Sequence, residues 1–167
     1  HHQAINAHRK NAKNLIVFFM TKNIGLVWLR DDFRLKKNLA LVEATKNHNQ
    51  VVAFYLYKKK KFDDQEAQKW WVCESLNQFK KKLINYNINL EVIAIDTYKS
   101  FFEKLFQKKK EFSIYWNKIY EPNYLRLDEF LKTNFEKNQI KYSIFKGNIL
   151  SEFNEVKKND GSPFKVF

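Results

Sequence analysis

The chain has 167 residues, 44% of them hydrophobic and 17% aromatic, enough apolar side chain to close one core and too little length for two roomy domains. No apolar run approaches the roughly 20 residues of a membrane-spanning helix, so the chain reads as soluble. Its formal charge of +13 favours a polyanion such as nucleic acid as partner, although an AT-rich genome inflates lysine equally well, and runs such as KKKK at 58–61 read as solvated faces.

The only methionine, Met20, directly precedes the periodic part of the sequence. Residues 1–19 are therefore set apart as upstream read-through or a tag. A mitochondrial-type presequence is the competing reading, since the segment carries bases and no acid. Without its Arg9, Lys10 and Lys13, 28 bases still face 18 acids. The single cysteine, Cys73, cannot close an internal disulfide and fits a reducing cytoplasm.

From residue 24 onward, apolar runs alternate with helical periods. IGLVWL (24–29) is apolar on both faces, as a central parallel strand requires. Asn38 is placed to cap the short helix LALVEATKN (39–47), and VVAFYLY (51–57) is a second strand. A long helix follows over about 65–86, with Val72, Leu76, Phe79, Leu83 and Tyr86 on one stripe that belongs against a sheet. Cys73 leans toward that stripe and is expected to be buried, and the pair Trp70 and Trp71 reads as packing.

NLEVIAI (89–95) is the third strand, and the helix after it turns Phe102, Leu105 and Phe106 inward. FSIYWN (112–117) is the fourth strand. Pro122 suits the first turn of the next helix, and IKYSIF (140–145) closes the series. Five strands separated by helices predict a three-layer, Rossmann-like α/β domain with a five-stranded parallel sheet and right-handed crossovers. After Lys146 the period stops, and the tail reads as the start of a connection.

In an open parallel sheet, ligands bind beyond the carboxyl ends of the strands, where strand order reverses. Here those ends carry residues 30–34, Tyr57, Asp96 and the turn at 117–121. A dinucleotide fingerprint is excluded, because LRDDFRLKKN holds none of the glycines that pyrophosphate approach demands, and no phosphate-cradling Walker loop occurs. No histidine cluster is available for a metal: three of the four histidines lie in 1–19. The alternation Arg30, Asp31, Asp32, Arg34 pairs either within its own strand end or with a neighbouring domain.

Four stretches, in order, resemble the DNA photolyase and cryptochrome family. LVWLRDDFRLKKNLAL (26–41) resembles its opening V-W-[FL]-R-x-D-[LF]-R-[LI]-x-D-N-x-A-L through Trp28, Arg30, Asp32, Arg34, Leu35, Asn38, Ala40 and Leu41, with Lys37 where the family carries aspartate. QKWWVCESLNQFKKKL (68–83) is similar to its R-W-W-L-x-x-S-L-x-x-L helix. IYWNKIYEPNYLRLDEFL (114–131) resembles its strand, Y-E-P turn and R-D helix. GSPFKVF (161–167) resembles the first part of G-x-P-Y-K-V-F-[TS]-P-F.

The resemblance implies residues 20–147 as the amino-terminal α/β domain of a larger flavoprotein, and residues 148–167 as the start of a linker to a helical domain that holds FAD outside this chain. It implies light-driven repair of pyrimidine dimers in damaged DNA, by a monomer with no membrane partner. The amino-terminal domain would help bind an antenna, methenyltetrahydrofolate or a deazaflavin. Glu121 stands where the family often places a carboxylate facing a pterin, with Asn117 beside it and Tyr57 and Trp116 as further cofactor-binding candidates. Arg30, Asp32 and Arg34 are expected at the interface with the helical domain. A cryptochrome-like blue-light photoreceptor and a stand-alone nucleotide- or pterin-binding α/β module are the alternatives.

Overall fold

The computed structural model describes residues 23–59, 66–107 and 111–146. The expected leader 1–19 and linker 148–167 lie outside the described residues. The elements run β1 (Ile24–Leu29), α1 (Leu39–Asn47), β2 (Gln50–Lys58), α2 (Glu66–Ile84), β3 (Asn89–Ile95), α3 (Tyr98–Phe106), β4 (Phe112–Asn117), α4 (Pro122–Lys137) and β5 (Lys141–Phe145). All four strand pairings are parallel and the sheet order is β3-β2-β1-β4-β5, the five-stranded α/β arrangement that the periodicity predicts. Among the described residues, no helix is long and apolar enough to cross a membrane.

Strand alternation divides the core into two halves. Ile24, Leu26 and Trp28 point to the face covered by α3 and α4, where they meet Phe102, Leu105, Leu131 and Phe135. Val27 and Leu29 point to the opposite face, against Ala40, Leu41 and Ala44 of α1 and Leu76, Phe79 and Leu83 of α2. β1 is buried along its whole length because helices cover both faces, which explains its unbroken apolar run. Each fully buried side chain of this size stabilises by roughly 1.5–3 kcal/mol.

Gly25 is needed for close approach. A Cβ there would lie 2.7 Å from Cδ2 of His48, whose ring lies against β1 and hydrogen-bonds to the backbone oxygen of Asn23 and the hydroxyl of Tyr115.

Helices α2 and α4 stop in the same way. After α2, the N–H of Asn87 donates to Ile84 O and that of Ile88 to Leu83 O; after α4, Gln139 donates to Glu136 O and Ile140 to Phe135 O. This is the Schellman pattern, with Asn87 and Gln139 in the left-handed region at φ 57° and buried Ile88 and Ile140 closing each end. Asn38 caps α1 as expected, accepting from the Leu41 N–H.

On α2 the structure corrects the sequence reading. Leu76, Phe79 and Leu83 are buried, but Tyr86 lies beyond the last helical residue and is exposed. Cys73 is exposed rather than buried, because it follows Val72 by one residue and so sits about 100° round the helix from the stripe. Trp70 and Trp71, expected to pack, are 69% and 60% exposed.

Candidate functional site

Strand order reverses between β1 and β4, since β2 lies on one side of β1 and β4 on the other. The crossovers leave in opposite directions there, α1 to one face and α4 to the other, so the carboxyl ends of these strands open a mouth. A hydrogen-bonded polar network locks that opening.

Asp32 folds back at the end of β1. Its Oδ1 accepts from the Arg30 N–H at 2.8 Å and its Oδ2 from Asn117 Nδ2 at 2.6 Å. The same Asn117 amide donates to Asn38 Oδ1 at 2.8 Å, and Asn117 Oδ1 accepts from the Ala40 N–H at 3.2 Å. Asn38 Nδ2 in turn donates to the backbone oxygens of Arg34 and Asp32. Three side chains thus tie the end of β1, the end of β4 and the start of α1 together.

The second half of the network is charged. Arg30, 3% exposed, donates from both terminal nitrogens to Asp128 at 3.1 and 3.3 Å and to the Asn117 backbone oxygen at 2.6 Å. Trp116 Nε1 donates to the same Asp128 at 3.2 Å. The guanidinium carbon stands 4.8 Å from the Trp28 ring centroid and 5.0 Å from that of Tyr124. Burial pushes the Asp128 carboxyl above its ordinary range, with Arg30 and Trp116 pulling the other way. The Arg30 Nε is buried without a hydrogen-bond partner.

Aromatic side chains rim the opening. Tyr98, in the first turn of α3, and Tyr124, in the first turn of α4, hydrogen-bond to each other through their hydroxyls, and burial raises both phenols. Lys58 Nζ lies 4.8 Å from the Tyr98 ring centroid. Glu121 precedes α4 as its cap residue, is exposed and makes no capping hydrogen bond, so its carboxylate is presented at a helix amino end beside Pro122. Tyr57 is half-buried at the end of β2, its phenol raised by burial.

The structure sorts the expected residues into two groups. Glu121 is exposed at the mouth, whereas Tyr57, at the end of β2, packs partly buried against the half of the core under α1 and α2. Asn117 stands at its floor with both amide hydrogens and its oxygen already bonded within the protein. Trp116 is fully buried with its one donor committed to Asp128, so it belongs to the core rather than to a ligand's surroundings.

Of the three expected interface residues, Arg30 and Asp32 are turned inward, because a buried guanidinium needs its acceptors close at hand, and Arg34 alone is exposed. The sequence reading held Asp128 only as part of the family's R-D helix and passed over Tyr98 and Tyr124. Their common signal was available: all three lie in the helices that follow strand ends.

A cavity of about 1110 Å³ opens at the opposite, amino-terminal end of the sheet, walled by Asn23, His48, Gln50, Glu111, Ser113 and Lys141. The rings of Phe112 and Tyr115 line it too, but it lies away from the carboxyl ends of the strands, where ligands of an open parallel sheet bind. Among the described residues no cluster of three or more His, Cys, Asp or Glu side chains could hold a metal ion.

A parallel sheet wound in both directions from a switch point, with helices on both faces, defines a Rossmann-like α/β domain. The chain belongs to the DNA photolyase family, whose sequence model matches residues 25–167. It is 28% identical over 142 residues to the deoxyribodipyrimidine photo-lyase of Agrobacterium fabrum, covering 85% of this chain and 29% of that protein. It is 30% identical over 150 residues to that of Alkalihalophilus pseudofirmus, covering 87% and 31%. Cryptochrome-2 of Arabidopsis thaliana matches at 24% identity, over 85% of this chain and 24% of its own length.

Among solved structures, a bacterial class III photolyase from Agrobacterium tumefaciens superposes with a TM-score of 0.64 at 25% identity, over 88% of this chain and 30% of that one. An archaeal photolyase from Sulfolobus tokodaii, solved with two FAD molecules, shares the fold with a TM-score of 0.61 at 20% identity, over 74% and 29%. The chain therefore spans about 30% of the length of the photolyases it matches.

Proposed function

We propose that this chain is the amino-terminal α/β domain of a deoxyribodipyrimidine photolyase that repairs pyrimidine dimers in damaged DNA, working as a monomer in the cytoplasm. The observation that carries the reading is the family match over residues 25–167, on a sheet whose order leaves its mouth between β1 and β4. The FAD site lies in the part of such a protein outside this chain. When bound and reduced, that flavin supplies the electron that splits the cyclobutane dimer.

The task of this domain is to hold an antenna, methenyltetrahydrofolate or a deazaflavin, at the mouth. Glu121 fits such a ring: it is an exposed carboxylate at a helix amino end, able to accept hydrogen bonds from ring N–H groups. Tyr57 contributes what aromatic surface it leaves open at the end of β2. Asn117 acts indirectly, by fixing the floor of the mouth on which Glu121 is carried. Arg34 is the member of the opening charged turn left to contact a neighbouring domain.

The experiment is a repair assay on the full-length protein, using ultraviolet-irradiated DNA with and without blue light. Light-dependent loss of dimers with flavin bound is expected. A flavin-loaded protein that leaves dimers intact would favour the photoreceptor reading, which the match to cryptochrome-2 keeps in play. A protein that retains no flavin would leave only the stand-alone module.

A further inference from the structure

The four tryptophans divide evenly between core and water. Trp28 and Trp116 are 1% and 0% exposed, whereas Trp70 and Trp71, adjacent on α2, are 69% and 60% exposed. Large aromatic side chains are seldom left so open, and α2 already docks on the sheet through Leu76, Phe79 and Leu83. The fold of this domain gives the pair no work to do.

Their position gives them one. Helix α2 follows β2 and runs back from the carboxyl-end side of the sheet, so Trp70 and Trp71 lie in its first two turns, Trp70 roughly 6 Å from its start. Val72, next to Trp71, packs against the same half of the core as Tyr55 and Tyr57, which places this half of the helix over β2. The outward surface further along α2 is basic and polar, with Lys80, Lys81 and Lys82 exposed.

We propose that the Trp70 and Trp71 face is the seat of the remaining part of the protein, the polypeptide that follows this domain in a photolyase of ordinary length. The proposal rests on the two-part reading above. More than two thirds of each matched photolyase lies outside the region this chain covers, and that mass has to pack on the domain. The inward turn of Arg30 and Asp32 removes two of the three charged candidates for the contact and leaves Arg34.

Two tryptophans offer about 300–500 Å² of contact surface, a large share of one side of an ordinary inter-domain interface, and tryptophan is the residue most often found at the energetic centre of such contacts. A second copy of the chain fits less well. A parallel pairing of α2 with itself would bring the lysines at 80–82 toward their own kind.

Hydroxyl-radical footprinting read by mass spectrometry tests this on unmutated protein, comparing oxidation of Trp70 and Trp71 in the full-length protein with that in the 1–167 chain. Oxidation several-fold slower in the full-length protein is expected. Equal rates would overturn the proposal. So would protection within the 1–167 chain that grows with its concentration, which would assign the face to a second copy.

Trp70→Lys with Trp71→Lys should lower the unfolding temperature of the full-length protein and leave that of the 1–167 chain unchanged; an equal fall in both would place the pair in the fold of the domain and overturn the proposal. A protein that protects the pair yet repairs no dimers would sustain the docking and sink the repair reading, so the two failures are separable.

Discussion

Arg30 and Asp128 set the chemistry of the mouth more than any other pair, and they do so as a buried unit. Removing one partner leaves the other charged and dry. Asp128→Leu is therefore expected to cost about 3–5 kcal/mol in denaturant unfolding, and the paired change Arg30→Met with Asp128→Leu to cost less than Asp128→Leu alone.

Glu91 is a different case. It is buried on the edge strand β3, and burial raises its carboxyl above 4.5, with Lys80 a partial offset. A raised carboxyl stabilises fully below its unfolded value and loses that contribution as pH rises through the folded one. The ionised group therefore opposes folding at neutral pH. Glu91→Gln should raise stability there by about 1 kcal/mol, with the gain fading as pH falls toward 4.5. At this scale the sequence was only partly legible: strand position pointed to Asn117 and Glu121, but whether a polar group faces inward or outward depends on partners as many as 98 residues away, as for Arg30 and Asp128.

The elements were far more legible than the contacts between them, because burial on one or both faces writes a period directly into the chain. Among the described residues, five strands and four helices follow from that period, with boundaries shifted by one or two residues. The errors fall where the period says little. Cys73 and the two tryptophans adjoin the apolar stripe of α2 in sequence but not in angle, and apolarity alone cannot distinguish a side chain facing this core from one facing another body.

Helix ends were hidden too. The chain has three glycines, none of them in a described helix terminus, so Asn87 and Gln139 carry left-handed backbone that glycine usually supplies. Gln139→Gly should accordingly stabilise the domain by about 1 kcal/mol in thermal unfolding, by relieving the steric cost of that conformation. No gain would mean that the Gln139 side chain contributes as much as its backbone costs.

For the molecule as a whole, the aromatic mouth sets a pH limit. Burial raises the phenols of Tyr55, Tyr98 and Tyr124 above their ordinary value of 10.0, with Asp31 adding to each. Their contribution is complete below that value and is lost as pH rises through the higher folded ones. Alkaline titration should show these phenolates appearing together with loss of the helical circular dichroism signal. Tyr142 is separate: it lies at the surface, where its hydrogen bond to Glu136 moves it up to about 12, so its ionisation breaks that one surface contact.

The family was legible because its motifs sit where the network forms. Arg30, Asp32, Asn38, Asn117 and Asp128 are matched positions, and all five meet at the floor of the mouth. On the proposed reading, what that mouth holds is decided by a few exposed side chains, with Glu121 foremost among them. The most direct measurement is the action spectrum of dimer repair for the full-length protein beside its Glu121→Gln variant. The account predicts that the variant loses the antenna band while flavin-driven repair persists. An unchanged antenna band, or loss of repair at every wavelength, would contradict it.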